Sequence, residues 1–230
     1  MKIGVLLSGS GVYDGSEIHE AVFTLLSIDE RGAEYQLFAP DKPQLHVINH
    51  RTGEEMEESR NVLTEAARIA RGDIQDVTEL QMKDYDALVI PGGFGAAKNL
   101  NTWALSGPDS DIDLEVQRVI REAVNSSKPI AALCMGPTVV AKALQGTEQH
   151  ATMTVGSTEA PSPYDIQGIS DGLSSVGAQP VMRTVQQIAV DNDLKLVTAP
   201  CYMMEARISE IRNNIDQAIE KLIEFVERDD

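Results

Sequence analysis

Basic residues are scarce in this chain: 19 Lys and Arg stand against 36 Asp and Glu, a formal net charge of −17 over 230 residues. No run of five or more basic residues occurs. A phosphate backbone or an anionic bilayer attracts the opposite sign, so nucleic acid and membrane surfaces are not expected partners. Cysteine is equally sparse. Cys134 and Cys201 alone cannot build a disulfide framework or a cysteine-rich metal cluster, and free thiols suit a reducing compartment. No apolar run reaches the length of a membrane span. The chain enters directly on Met1-Lys2-Ile3-Gly4-Val5 with no signal or transit peptide, so a cytoplasmic location is expected. Histidine is limited to four residues, and none follows His150.

What is present alternates. Ile3–Ser8 reads as a buried strand, followed by the turn-rich Gly9–Gly15 and a helix from an N-cap at Ser16 to about Arg31. Ile18, Val22, Leu25 and Leu26 share one face of that helix. Ala33–Ala39 is a second strand. The polar stretch 40–58 carries a small hairpin, with His46 and His50 bracketing a candidate lid. A helix over Asn61–Ala70, a strand over Asp86–Ile90, a helix over Ile112–Val124, a strand over Ile130–Leu133 and a helix over Pro137–Leu144 follow. Weaker strands are expected at Thr152–Val155, Val181–Thr184, Ile188–Val190 and Lys195–Thr198, before a long helix over Glu205–Val226. Such alternation argues for an α/β fold with a mostly parallel sheet and helices on both faces. Ligands in these sheets lie beyond the carboxyl ends of the strands. Gly9–Glu20, Pro91–Ala97 and Cys134–Gly136 therefore converge on one rim.

Cys134 is the sharpest chemical signal. Ala132 and Gly136 stand two residues either side of it, the small-x-nucleophile-x-small spacing of a strand-to-helix elbow with Cys in place of Ser. Helix N–H groups at such a turn favour the thiolate. The spacing fits a buried structural cysteine equally well. Pro91-Gly92-Gly93-Phe94-Gly95 is a strand-ending turn that also exposes backbone donors beside the cysteine. Glu17 and Glu20, three apart on the first helix, are ordinary dipole partners or carboxyls placed against the thiol. His19 shares a face with Phe23 and Leu26, as a partly buried histidine or one aimed at the rim. Helical spacing separates Asp14, Glu17, His19 and Glu20, so no metal site is expected. Gly9-Ser10-Gly11 lacks the Gly-Lys-Ser/Thr ending of a phosphate loop. Cys201, with no acid or elbow, reads as structural.

The run Pro91-Gly-Gly-Phe-Gly-Ala-Ala-Lys-Asn99, with the elbow at Cys134 some forty residues on, resembles the ThiJ/PfpI superfamily. Ser8–Glu20, Phe38–Asp41, Val47–His50, Arg60–Ile69, Thr198–Pro200 and Tyr202–Met203 resemble its ElbB-like branch, nearly end to end. The resemblance implies a flavodoxin-like three-layer sandwich, one class I glutamine amidotransferase-like domain over residues 1–230, and a homodimer. It implies a cofactor-independent, glyoxalase-type lyase that converts glyoxal to glycolate, linked by name to isoprenoid biosynthesis. Carried over residue by residue, the nucleophile falls on Cys134 and its acid on Glu20, with Glu17 the neighbouring acid. Backbone donors fall on Gly93, Met135 and Gly92, and His19, His50 and Phe94 are pocket candidates. The pattern breaks after the cysteine, where hydrolases of the superfamily place His and this chain has Met135. No late His-x-Glu pair exists, so glutamine amidotransferase and protease activities are not expected. A small aldehyde or dicarbonyl is the expected substrate, with no cofactor. The alternative is a non-enzymatic redox-sensing protein with an oxidisable Cys134.

Overall fold

A seven-stranded sheet organises the computed structural model, which describes residues 1–228. In chain order the elements are β1 (Lys2–Leu6), α1 (Ile18–Asp29), β2 (Glu34–Ala39), α2 (Val62–Ile69), β3 (Ile74–Asp76) and β4 (Ala87–Ile90). There follow α3 (Trp103–Ser106), α4 (Leu114–Asn125), β5 (Ile130–Leu133), α5 (Gly136–Leu144) and β6 (Thr152–Met153). The chain continues through α6 (Ile166–Ser175), β7 (Gln179–Pro180), β8 (Ala189–Asp191), β9 (Leu196–Ala199) and α7 (Ile208–Glu227). The strand order is β3-β2-β1-β4-β5-β9-β8, parallel throughout except for the edge strand β8. Helices flank it, with α1 packed on α7 and α4 on α5, giving the expected flavodoxin-like sandwich.

The central strands are apolar because both faces are covered. Ala87–Ile90 and Ile130–Leu133 are buried at every position. Each fully buried Leu or Ile contributes roughly 1.5–3 kcal/mol. The register places Ile90 opposite Ala132 and Leu133 opposite Ala199. Gly92, Cys134 and the turn after Ala199 therefore emerge side by side at the carboxyl edge.

Several local expectations are corrected. On α1, Ile18, Val22 and Leu26 face solvent at 45%, 46% and 38% exposure. The buried positions are instead Glu20, Ala21, Thr24, Ser27 and Ile28, a largely small-residue face that lets α1 lie close to α7. Ser16 is not the N-cap: its hydroxyl accepts the Ser8 N–H at 2.9 Å, and Glu17 caps the helix by accepting the Glu20 N–H at 2.7 Å. The expected strand at Val181–Thr184 is irregular, and the pairing falls on Gln179–Pro180 against Thr152–Met153 in a separate two-stranded sheet. Helix α6 and edge strand β3 were not foreseen. One carries Ile166, Ile169 and Leu173 at helical spacing but is interrupted by two glycines, and the other is three residues long. The hairpin in 40–58 is present, closed by the Ile48–Glu55 bridge around a turn at Asn49–Gly53.

Candidate active site

Strand β5 runs straight into a strained residue. Cys134 has φ +55°, a left-handed conformation that costs a non-glycine residue about 1–3 kcal/mol and is held only by its surroundings. Its N–H donates to Ala199 O at 2.9 Å, and helix α5 starts two residues later with Pro137 in the first turn. A Cβ on Gly136 would stand 2.9 Å from Ile90 O and 3.3 Å from Ala132 Cβ. The small residues around the cysteine are thus required by the closeness of helix and strands. Cys134 is 5% exposed.

Glu20 fills the space in front of it. The side chain is fully buried and hydrogen-bonded to the Cys134 thiol. Its Oε1 accepts the Tyr202 N–H and its Oε2 the Gly92 N–H, each at 3.1 Å. Gly92 has no room for a side chain, because a Cβ there would overlap both Cys134 Cβ and Glu20 Oε2. On the other side of the same loop, Glu17 N–H donates to Gly92 O at 2.9 Å. One turn of α1 is therefore bolted to the β4 loop through Gly92, and the choice between the two glutamates is settled geometrically. Glu20 touches the sulfur, while Glu17 caps the helix behind it. The N–H groups of Gly93 and Met135 face the sulfur, whereas that of Gly92 is committed to Glu20.

Burial dominates the electrostatics. It pushes the Glu20 carboxyl from 4.5 up to about 8, helped by the charge of Glu17 and opposed by the Tyr202, Cys134 and Gly92 hydrogen bonds. Burial likewise raises Glu17, against the Glu20 N–H. It raises the Cys134 thiol well above 9, the Glu20 charge adding to this and the Gly93 and Met135 N–H groups opposing it. The expectation of a thiolate favoured by the helix end is corrected here: the N–H groups act in the expected direction, but desolvation outweighs them. Thiol and carboxyl are thus both neutral at pH 7.

Two of the remaining candidates line a cavity of about 530 Å³ that opens to solvent. Glu17 and His19 line it together with Tyr13, Tyr164 and Tyr202. His19 is exposed rather than partly buried, and its Nδ1 pairs with the Tyr202 hydroxyl at 2.8 Å. Phe94 stands behind the wall, edge-on to Tyr164 with ring centroids 5.6 Å apart. His50 is outside the cavity and acts as a clasp. Its Nε2 accepts the Tyr13 N–H at 3.3 Å, and Asp14 accepts the Ile48 N–H at 2.7 Å, fastening the hairpin to the first loop. Cys201 is fully buried, has φ +47° and donates its N–H to Asn214. The three tyrosines were missed as site residues. Tyr202 stood inside a recognised block, whereas nothing local marks Tyr164.

The profile of the DJ-1/PfpI family matches residues 12–199. The glutamine amidotransferase-like class 1 domain-containing protein 3, mitochondrial, of Homo sapiens is 44% identical over 97% of this chain and 83% of its own length. An isoprenoid biosynthesis protein with amidotransferase-like domain from Ehrlichia chaffeensis superposes with a TM-score of 0.88 at 30% identity, covering 98% of this chain and 99% of that one. Glyoxalase III of Candida albicans shares the fold, with a TM-score of 0.61 at 15% identity over 96% and 97% of the two chains. The expected cytoplasmic location is overturned by these relatives. The human protein and the ES1 proteins of rat and zebrafish are all named mitochondrial.

Proposed function

The chain belongs to the DJ-1/PfpI family, and on that premise we propose that it converts glyoxal to glycolate on Cys134 without a cofactor. The observation that carries this reading is a neutral, fully buried Glu20 hydrogen-bonded to the elbow thiol. A neutral carboxyl accepts the S–H proton on one oxygen while donating its own from the other. Sulfur adds to one aldehyde carbon, and the carbonyl oxygen takes the Glu20 proton, giving a hemithioacetal. The N–H groups of Gly93 and Met135 face this oxygen as charge develops on it. Glu20 then moves the hemithioacetal C–H proton to the neighbouring carbonyl carbon and the hemithioacetal hydroxyl proton to that carbon's oxygen, so the first carbon becomes a thioester carbonyl and the second a hydroxymethyl group. Water cleaves the thioester, releasing glycolate and restoring the thiol. The sum is glyoxal plus water to glycolic acid. Residues 1–230 act in this reading as one domain.

Relays of this kind contribute roughly 10²–10⁴-fold, and the side-chain partner of Cys134 is an acid rather than an imidazole, so turnover is expected to be slow. A buried thiol held above its ordinary pKa weighs against the redox-sensing alternative, which needs an accessible thiolate. Glycolate formation from glyoxal, followed by NMR for wild type and Cys134→Ser, tests the reading. Equal rates for the two proteins, or no glycolate above buffer, would sink it.

A further inference from the structure

Aromatic residues make up only 4% of this chain, yet three of its five tyrosines line a single cavity whose wall includes Glu17 and His19 at the start of α1. They come from three distant segments: Tyr13 from the loop after β1, Tyr164 from the turn before α6, and Tyr202 from the turn after β9. The cavity adjoins Glu20 through two of its lining residues. Glu17 and Tyr202 line it, and each is hydrogen-bonded to Glu20. Its volume of about 530 Å³ lies in the range of roughly 300–1,000 Å³ that holds ligands of many heavy atoms. Glyoxal, with two carbons, has no group to meet most of these walls.

Charge narrows the ligand further. None of the residues lining the cavity is Lys or Arg, while Glu17 and Glu205 both are lining residues. A carboxylate or phosphate on the ligand would meet like charge with no counter-ion. The other walls, Val12, Pro163, Met204, Ala206 and the tyrosine rings, match an uncharged apolar substituent. Tyr164 is fixed by the edge of Phe94 and stays neutral, burial having pushed its hydroxyl up to about 12. It offers a ring face and a hydroxyl rather than a charge.

We propose, resting on the glyoxalase reading above, that the preferred ligand of this site is a neutral α-oxoaldehyde bearing a flat apolar substituent, with the aldehyde at Cys134 and the substituent among Tyr13, Tyr164 and Tyr202. The chemistry is unchanged: sulfur adds to the aldehyde carbon, the C–H proton moves to the ketone carbon, and water releases the 2-hydroxy acid. Ring contact selects the substituent, and a lining without Lys or Arg disfavours an anion.

Phenylglyoxal, glyoxal and 4-carboxyphenylglyoxal are the probes, with kcat/KM for each divided by its uncatalysed rate of addition to a small thiol. The ratio for phenylglyoxal is expected to exceed that for glyoxal by about tenfold or more, as good aromatic contacts allow, and the anionic 4-carboxyphenylglyoxal is expected to fall well below phenylglyoxal. Tyr164→Ala should cut the phenylglyoxal-to-glyoxal ratio about tenfold, and Tyr164→Phe should keep it. Binding of unreactive 1-phenyl-1,2-ethanediol to Cys134→Ser, read by saturation-transfer NMR, separates this inference from the one beneath it. Diol binding that Tyr164→Ala removes, with no turnover of either aldehyde, would uphold the ligand class and overturn the glyoxalase reading. Turnover of glyoxal with no phenyl preference, or a preference that Tyr164→Ala leaves intact, would overturn the ligand class alone. 4-Carboxyphenylglyoxal matching phenylglyoxal would do the same. No turnover and no diol binding would overturn both.

Discussion

Replacing Glu20 by Gln should reverse sign with pH. The carboxyl binds its proton more tightly in the folded protein, with a pKa of about 8, than at its ordinary 4.5. A pKa raised by folding stabilises below the unfolded value, and this stabilisation is lost as pH rises through the folded one. Between pH 4.5 and 8 the folded state holds the proton that the unfolded state has released, so each pH unit costs about 1.4 kcal/mol of stability. From pH 5 to pH 8 the wild type therefore loses about 3–4 kcal/mol through this residue. Gln cannot titrate and escapes that slope. It meets a different penalty, because Glu20 accepts N–H donors on both oxygens, from Tyr202 and Gly92, and an amide nitrogen cannot accept. One buried N–H is left unpaired, at about 1–3 kcal/mol. The variant should thus be less stable than wild type at pH 5 and more stable at pH 8. Urea unfolding of both proteins at the two values measures the crossing. Parallel stability curves would refute the argument, since they would mean that Glu20 is already ionised in the folded protein. Glyoxal turnover should fall sharply in Glu20→Gln at either pH.

Gly92→Ala should leave the sheet formed but displace the Cys134 and Glu20 side chains, since a Cβ would overlap both; a loss of about 10²-fold or more in glyoxal turnover is expected, and an unimpaired variant would contradict the packing. Met135→Ala should lose about 2–5 kcal/mol in urea unfolding, because the side chain is 4% exposed, while keeping most of kcat/KM through its backbone N–H; loss of activity in folded protein would give the side chain a role. Iodoacetamide should label Cys134 slowly at pH 6.5 and faster as pH rises past 9, with Cys201, fully buried, labelled only on unfolding; fast labelling at pH 6.5, mapped to Cys134, would show that desolvation does not control the thiol.

The alternation of apolar strands and helices was legible because both faces of a parallel sheet are covered, leaving Ala-Leu-Val-Ile and Ile-Ala-Ala-Leu as unbroken runs. The Ala-x-Cys-x-Gly pattern was legible for the same kind of reason: a tight turn admits only small residues, and this constraint is local. Where local pattern and tertiary need disagree, the pattern misled. Ile18, Val22 and Leu26 make an apolar stripe that faces outward, since the inner face of α1 must carry Glu20 to the cysteine and small residues to α7.

The sequence by itself determined the fold class and the family, and it pointed to Cys134, Glu17 and Glu20 as candidate site residues, because each is encoded in contiguous residues. Tertiary structure alone decided that Glu20 rather than Glu17 meets the sulfur, that burial pushes the pKa of both groups up, and that three tyrosines share one cavity. Desolvation and contact depend on what surrounds a group, and the surroundings of Glu20 are supplied by Gly92 and Tyr202, residues 72 and 182 positions away along the chain.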